Sequence, residues 1–221
     1  MYKYKMWEFV DKVIYINLDH RQDRRDIMKT FFEKGKIPQD KIVRFSAIKQ
    51  NFAPKGIQAS HTSVLALAKQ NKWKNILILE DDLQWLDFEP AYKQLCELVL
   101  KPDWNVIMLC GWYIDYRNPR IYNARNAGAY LVNEFYIDTL LQNRLEYLKK
   151  YQKFFYMKPK GEWTADVGWM NLMQKDVWYA LYPCICSQVD GLSDNSGREI
   201  KASQIVGLHN TEIHEKVFGK I

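Results

Sequence analysis

Short aliphatic and β-branched runs, separated by segments of helical periodicity, set the tightest limit on how this 221-residue chain can fold. Lys12-Val13-Ile14-Tyr15-Ile16-Asn17-Leu18 has the pattern of a strand covered on both faces. A helix is predicted from Asp23, as its cap, through Glu33, with Ile27, Met28, Phe31 and Phe32 on one face and Gly35 as its stop. Ile42–Phe45 reads as a second strand. Gly56 and Ser60 flank the predicted start of the next helix, whose apolar face is Val64, Leu65, Leu67 and Ala68. Asn75–Glu80 is a buried strand running into Asp81-Asp82, Glu89–Leu100 a helix, and Val106–Cys110 a further buried strand ending at Gly111. Strands alternating with helices predict an α/β fold built on a parallel sheet.

The second half is less regular. Gly128–Val132 is a predicted strand, Glu134–Lys150 one or two helices, Asp166–Lys175 a helix, and Ala180–Ile185 an edge strand because Pro183 cannot donate to a central ladder. There is no internal repeat and no linker of shifted composition. A single domain over residues 12–200 is expected, with an N-terminal extension at 1–11 and a C-terminal segment at 201–221. A hydrophobic content of 48% excludes wholesale disorder. No apolar run reaches the ~20 residues of a membrane span, and the start of the chain lacks the apolar core of a signal peptide, so a cytoplasmic protein without a transmembrane segment is expected. Cys96, Cys110, Cys184 and Cys186 read as reduced core thiols. The net charge of +6 suits nucleic acid, an anionic membrane surface or a phosphorylated small molecule, and the position of the charge separates these partners.

Three groups of residues carry chemistry, and in a parallel sheet all three gather beyond the carboxyl ends of the strands. Arg21, Arg24 and Arg25 fall on one side of a helical start after the first strand. Their guanidinium groups beside a helix N-terminus suit a diphosphate, and local pairing with Asp19 and Asp23 in a solvated turn is the alternative. Ser60-His61 sits at a predicted helix start, where Ser60 has ordinary work as an N-cap and His61 as a structural histidine. Glu80-Asp81-Asp82 places three carboxylates in a row after a buried strand. They repel one another, so a compensating cation is the economical explanation, and Mg²⁺ or Mn²⁺ suits such oxygen ligands. In an extended chain Glu80 and Asp82 share a face and Asp81 takes the other.

The ordered set resembles glycosyltransferase family 25. It comprises Val13–Leu18 with Arg21, Asp23 and Arg24, Gly56 with Ser60-His61, Ile76–Asp82, Ala127–Val132, Asp166 within Trp163-Thr164-Ala165-Asp166, and Tyr182-Pro183 followed by Gln188, Gly191 and Ser193-Asp194. The resemblance covers about Val13 to Arg198. It implies a single GT-A-type, Rossmann-like domain that binds a nucleotide sugar with Mn²⁺ (or Mg²⁺) at an acidic motif. The implied activity is inverting transfer of galactose or glucose from a UDP-sugar to a hydroxyl of a glycan, a lipid-linked glycan or a hydroxylated protein. Glu80 and Asp82 are then the metal ligands, and Asn17, Leu18, Arg21, Arg24, Ser60, His61 and Asp81 line the donor.

Transfer also needs a base for the acceptor proton. Asp166, set among Trp163, Val167 and Trp169, is the candidate, with an N-cap of the following helix as its other reading; Asp194, with Asp190, is the further catalytic candidate in a Gly-containing turn. Trp112, Tyr113 and Tyr116 form either an acceptor platform or ordinary core, and His209 and His214 are candidates for an extra metal ligand. Two other functions fit the acidic motif. A metal-dependent nuclease calls for a basic stripe interleaved with aromatics, whereas these arginines cluster at one turn and no nucleic-acid partner is expected. A catalytically silent nucleotide-sugar-binding module is separated only by measuring turnover.

Overall fold

A computed structural model describes residues 6–86, 89–153, 164–193, 197–201 and 207–208. The α/β class is observed. The first half runs β1 (Lys12–Asn17), α1 (Gln22–Gly35), β2 (Ile42–Ser46), α2 (Ala53–Gln70) and β3 (Ile76–Glu80). β1 lies between β2 and β3 and is parallel to both, with Ile14 opposite Val43 on one side and Ile78 on the other. The step from β1 to β2 runs one way along the sheet and the step from β2 to β3 runs back past β1. Right-handed crossovers therefore place α1 and α2 on opposite faces. That double cover explains why Ile14, Ile76 and Ile78 are wholly buried and why the strands read as continuous apolar runs.

The chain continues through β4 (Leu83–Trp85), α3 (Glu89–Val99), β5 (Val106–Arg117), β6 (Arg120–Val132), α4 (Ile137–Lys153), α5 (Met170–Lys175), β7 (Trp178–Ala180), β8 (Cys186–Gln188), β9 (Gly191–Leu192), β10 (Glu199–Ile200) and β11 (Gly207–Leu208). β6 extends the sheet antiparallel to β3, with Tyr130 opposite Ile78, and β5 pairs with β6, β7 and β11. β5 and β6 form one long hairpin broken by register shifts. Such bulges bend a ribbon. Here the tip curls back so that Arg120 pairs with Tyr179 of β7, while the other edge of Tyr179 pairs with Ile107 near the hairpin base. β4 pairs with β8, and β9 with β10, as separate two-stranded ribbons.

Several boundaries differ from the sequence expectation, each for a physical reason. α1 starts at Gln22 with Arg21 in the cap position and no side-chain cap, and Asp23 instead pairs with Arg21 at 2.7 Å. Lys36 rather than Gly35 takes the left-handed turn at its end. α2 begins at Ala53, seven residues before Ser60, because Pro54 suits the first turn of a helix. Gly56 is interior to that helix; a Cβ there would lie 2.5 Å from the Ile48 carbonyl, so the preceding loop packs directly on the helix backbone. β5 runs on through Gly111 to Arg117, because β6 pairs with it as far as Arg117 opposite Arg120. The strand after α5 is Trp178–Ala180, inside the sheet, and Pro183 lies beyond it. Residues Met6–Phe9, ahead of Lys12, carry Trp7 into the shared core. All four cysteines are free, and Cys110, Cys184 and Cys186 are buried.

Candidate functional site

The strand order β2-β1-β3 opens a crevice between the carboxyl ends of β1 and β3, the position where open α/β sheets bind ligands. The last residue of β1, Asn17, is fully buried there. Its Nδ2 donates to Asp81 Oδ2 at 2.7 Å and to the Arg21 carbonyl at 3.1 Å. Its Oδ1 accepts from Arg44 Nε at 3.0 Å and Arg25 Nη1 at 3.3 Å. Asn17 thus ties the first turn of α1 and the end of β2 to the acidic motif.

Arg24, on the first turn of α1, meets that motif head-on. Its Nη1 donates to Asp81 Oδ1 at 2.7 Å and lies 3.1 Å from Asp82 Oδ2, while Nη2 donates to the Leu192 carbonyl at 3.2 Å. Burial works against its charge, but Asp82 and Asp81 outweigh burial and tighten its hold on the proton. Glu80 and Asp82 share one face, as the strand alternation predicts: Gln188 Nε2 donates to Glu80 Oε2 at 3.0 Å and to Asp82 Oδ1 at 3.2 Å. Burial pushes both carboxyl groups up to about 7, with the charges of Asp81 and Asp166 adding at Glu80 and that of Glu80 adding at Asp82.

A relay of amides sets which end of Gln188 faces the acids. The Gly128 N–H donates to Asn126 Oδ1 at 2.7 Å, which leaves Asn126 Nδ2 to donate to Gln188 Oε1 at 2.8 Å and turns the Gln188 NH₂ onto Glu80 and Asp82. Asn126 holds φ at +75°, a left-handed conformation uncommon outside glycine, and its own N–H donates to Asp166 Oδ2 at 3.2 Å. One strained residue therefore connects the acidic motif with the candidate base. A Cβ on Gly128 would lie 2.8 Å from Asn126 Oδ1, so the relay requires glycine at that position.

Behind the acids, His61 and Tyr130 are buried and stacked, with His61 Nδ1 2.8 Å from Tyr130 Oη. Burial, then the charge of Arg144, lowers the His61 pKa to about 3, so the ring is neutral. The other ring nitrogen, Nε2, faces Glu80 Oε1 at 3.5 Å. Arg144 of α4 is fully buried, lies over the Trp169 ring, and donates to Gln58 Oε1 at 3.2 Å and to the Ala165 carbonyl, next to Asp166. Asp166 Oδ1 accepts from Thr164 Oγ1 at 2.7 Å.

The crevice brings together Asn17, Arg24, Glu80, Asp81 and Asp82, with Asp166 joined through Asn126. His61 stands behind Glu80, shielded from solvent, rather than lining the crevice. Arg21 is held by Asp23, and Leu18 supplies a carbonyl that accepts from the Arg21 N–H. Ser60 caps nothing: it lies within α2, donating to the Gly56 carbonyl and accepting from the Ile48 N–H, because the helix starts at Ala53. Asp166 is no N-cap either, since α5 begins at Met170. Trp112 and Tyr113 are core, while Tyr116 is half-buried. Asp194, Trp163, His209 and His214 lie outside the described residues. Asn126, Arg44, Tyr130 and Arg144 belong to the arrangement without a local signature; the left-handed turn at Asn126-Ala127-Gly128 had only its Asn and Gly to announce it.

No family model matches the chain, and no curated protein matches it. Solved structures similar to it include A197 from STIV, at 14% identity and a TM-score of 0.49, covering 90% of this chain and 94% of that one. A glycosyltransferase involved in glycosylation of the major capsid of PBCV-1 is similar at 11% identity and a TM-score of 0.42, covering 77% and 92%. The apo form of the glycosyltransferase GlyE of Streptococcus pneumoniae TIGR4 is similar at 12% identity and 0.43, covering 78% and 45%. At these identities and TM-scores the likeness assigns neither a family nor an activity.

Proposed function

We propose that the chain is a GT-A-type glycosyltransferase that moves galactose or glucose, with inversion, from a UDP-sugar to a hydroxyl of a glycan, a lipid-linked glycan or a hydroxylated protein. The observation carrying this reading is the crevice itself. At the switch point, the Arg24 guanidinium lies 3.1 Å from Asp82 Oδ2, and Gln188 Nε2 joins Asp82 to Glu80.

The donor set fits Mn²⁺ or Mg²⁺. Glu80 and Asp82 are hard oxygen ligands on one face, held at raised proton affinity by burial and by neighbouring carboxylates. Among the described residues no group of three His, Cys, Asp or Glu side chains gathers to hold a metal ion. Two carboxylates plus the phosphates of the substrate is the usual way such ions are held in phosphate sites. When bound, the ion neutralises charge on the departing diphosphate. Arg24 adds a charge-assisted contact to the same group, and Asn17 keeps Asp81 and the α1 turn in register with it. Asp166, fixed by Thr164 and the Asn126 N–H, accepts the proton of the attacking hydroxyl.

A thermal-shift panel of UDP-, GDP- and CMP-sugars, with Mn²⁺ or chelator, tests the reading, because a ligand that binds the native state raises its Tm. UDP-hexoses should stabilise only with the cation, and Asp82→Ala should abolish that dependence. Full metal-dependent stabilisation of Asp82→Ala would show the acidic motif misassigned. Release of UDP from UDP-galactose or UDP-glucose, absent in a silent binding module, reports turnover.

A further inference from the structure

Arg24 occupies the place where a compensating cation belongs. A single nitrogen, Nη1, touches both Asp81 Oδ1 and Asp82 Oδ2, and among the described residues the guanidinium also donates to the Leu192 carbonyl. An arginine keeps its proton at any ordinary pH, so its charge must be accommodated whatever else enters the crevice. A divalent ion on Asp82 would bring three positive charges into contact unless the guanidinium turned away. Arg21, in the cap position of the same helix, is paired with Asp23 at 2.7 Å. Arg25 is engaged with Asn17, Gln22 and the Asp19 carbonyl.

We propose that Arg24 is an exchangeable counter-cation. With the crevice empty it pairs with Asp81 and Asp82, and it surrenders Asp82 to the divalent ion when the donor diphosphate arrives to receive its guanidinium. Metal and nucleotide then enter as a coupled pair, and linkage makes the coupling reciprocal. This rests on the reading of Glu80 and Asp82 as metal ligands, and it adds a consequence of opposite sign to that of an ordinary site residue. Removing Arg24 should improve metal binding to the nucleotide-free protein while it weakens binding of the nucleotide.

The test is titration of Mn²⁺, followed by its free-ion EPR signal, into wild type, Arg24→Gln, Arg24→Lys and Asp82→Asn, each with and without UDP. Without UDP, Arg24→Gln should bind Mn²⁺ at least tenfold more tightly than wild type, whereas its affinity for UDP in saturating Mn²⁺ should fall at least tenfold. Arg24→Lys keeps the charge and should bind Mn²⁺ without UDP at the wild-type level. Arg24→Met replaces Arg24→Gln if the latter does not fold. If wild type and Arg24→Gln bind Mn²⁺ alone equally well, or Arg24→Lys gains as much as Arg24→Gln, the exchange is wrong and the metal reading stands. If no variant binds Mn²⁺ with or without UDP, or Asp82→Asn binds it as wild type does, the metal reading falls and the exchange falls with it.

Discussion

Gly128→Ala is the sharpest probe of the amide relay. An added Cβ would stand 2.8 Å from Asn126 Oδ1, while its next neighbours, Leu83 Cδ2 at 3.5 Å and Cys110 Sγ at 3.6 Å, are at ordinary contact. Only the Asn126 carboxamide must move. When it moves, two hydrogen bonds go with it, from the Gly128 N–H at 2.7 Å and to Gln188 Oε1 at 2.8 Å. At about 1 kcal/mol net each, the loss is roughly 2 kcal/mol. Replacing glycine where φ is ordinary returns roughly 0.5–1 kcal/mol of backbone entropy, leaving a net destabilisation of about 1–1.5 kcal/mol. In a domain of this size that lowers Tm by about 2–6 °C. The assay is a double-mutant cycle in thermal and urea unfolding, with Asn126→Gly as the second change. Asn126→Gly keeps the positive φ without strain and removes the carboxamide, so in that background Gly128→Ala should be neutral or stabilising. Equal destabilisation by Gly128→Ala in both backgrounds would refute the relay.

Asp166→Asn should lower turnover at least about 100-fold with UDP affinity and Tm nearly unchanged, because an amide can still accept from the Asn126 N–H and donate to Thr164 Oγ1 but cannot take a proton. Steady-state kinetics beside a melting curve checks this, and normal turnover would move the base elsewhere. Native protein treated with iodoacetamide at pH 8 should be modified at Cys96 alone, and slowly. Burial pushes the Cys184 thiol up to about 12, and a hydrogen bond with Cys186, then burial, raises that of Cys110, so thiolate at these two positions is scarce as well as inaccessible. Peptide mass mapping showing rapid labelling at Cys110 or Cys184 would contradict the packing of β5 against β8.

What was legible in the sequence was whatever is encoded locally. Ile76–Leu79 running into Glu80-Asp81-Asp82 announces a buried strand delivering charge to a sheet edge, and the structure places it there. Arg24 was legible as one of a cluster, but its choice of Asp81 and Asp82, 57 and 58 positions away, depends on β1 lying beside β3. Ser60 looked like a cap because serine is a good one, yet Pro54 had already started the helix. Gln188 entered only as part of the family resemblance, with no role given to it, and Asn126 was not singled out at all. Their roles come from β8 and the turn within β6 meeting over the acids, a long-range juxtaposition that neither periodicity nor propensity encodes.

The curled hairpin also dictates an order of assembly. β5 and β6 are neighbours in sequence and can close early, whereas β7 arrives some 46 residues after β6 ends and pairs with both the base and the tip of the finished ribbon. Until it docks, Ile107 and Arg120 each present an unpaired backbone edge, reinforced by the Pro119 carbonyl that later accepts from Ala180. Non-local pairing of this kind is slow, and an open strand edge is a template for other chains. A nascent chain shorter than Trp178 therefore exposes two adhesive edges at once, and three residues, Trp178 to Ala180, close both.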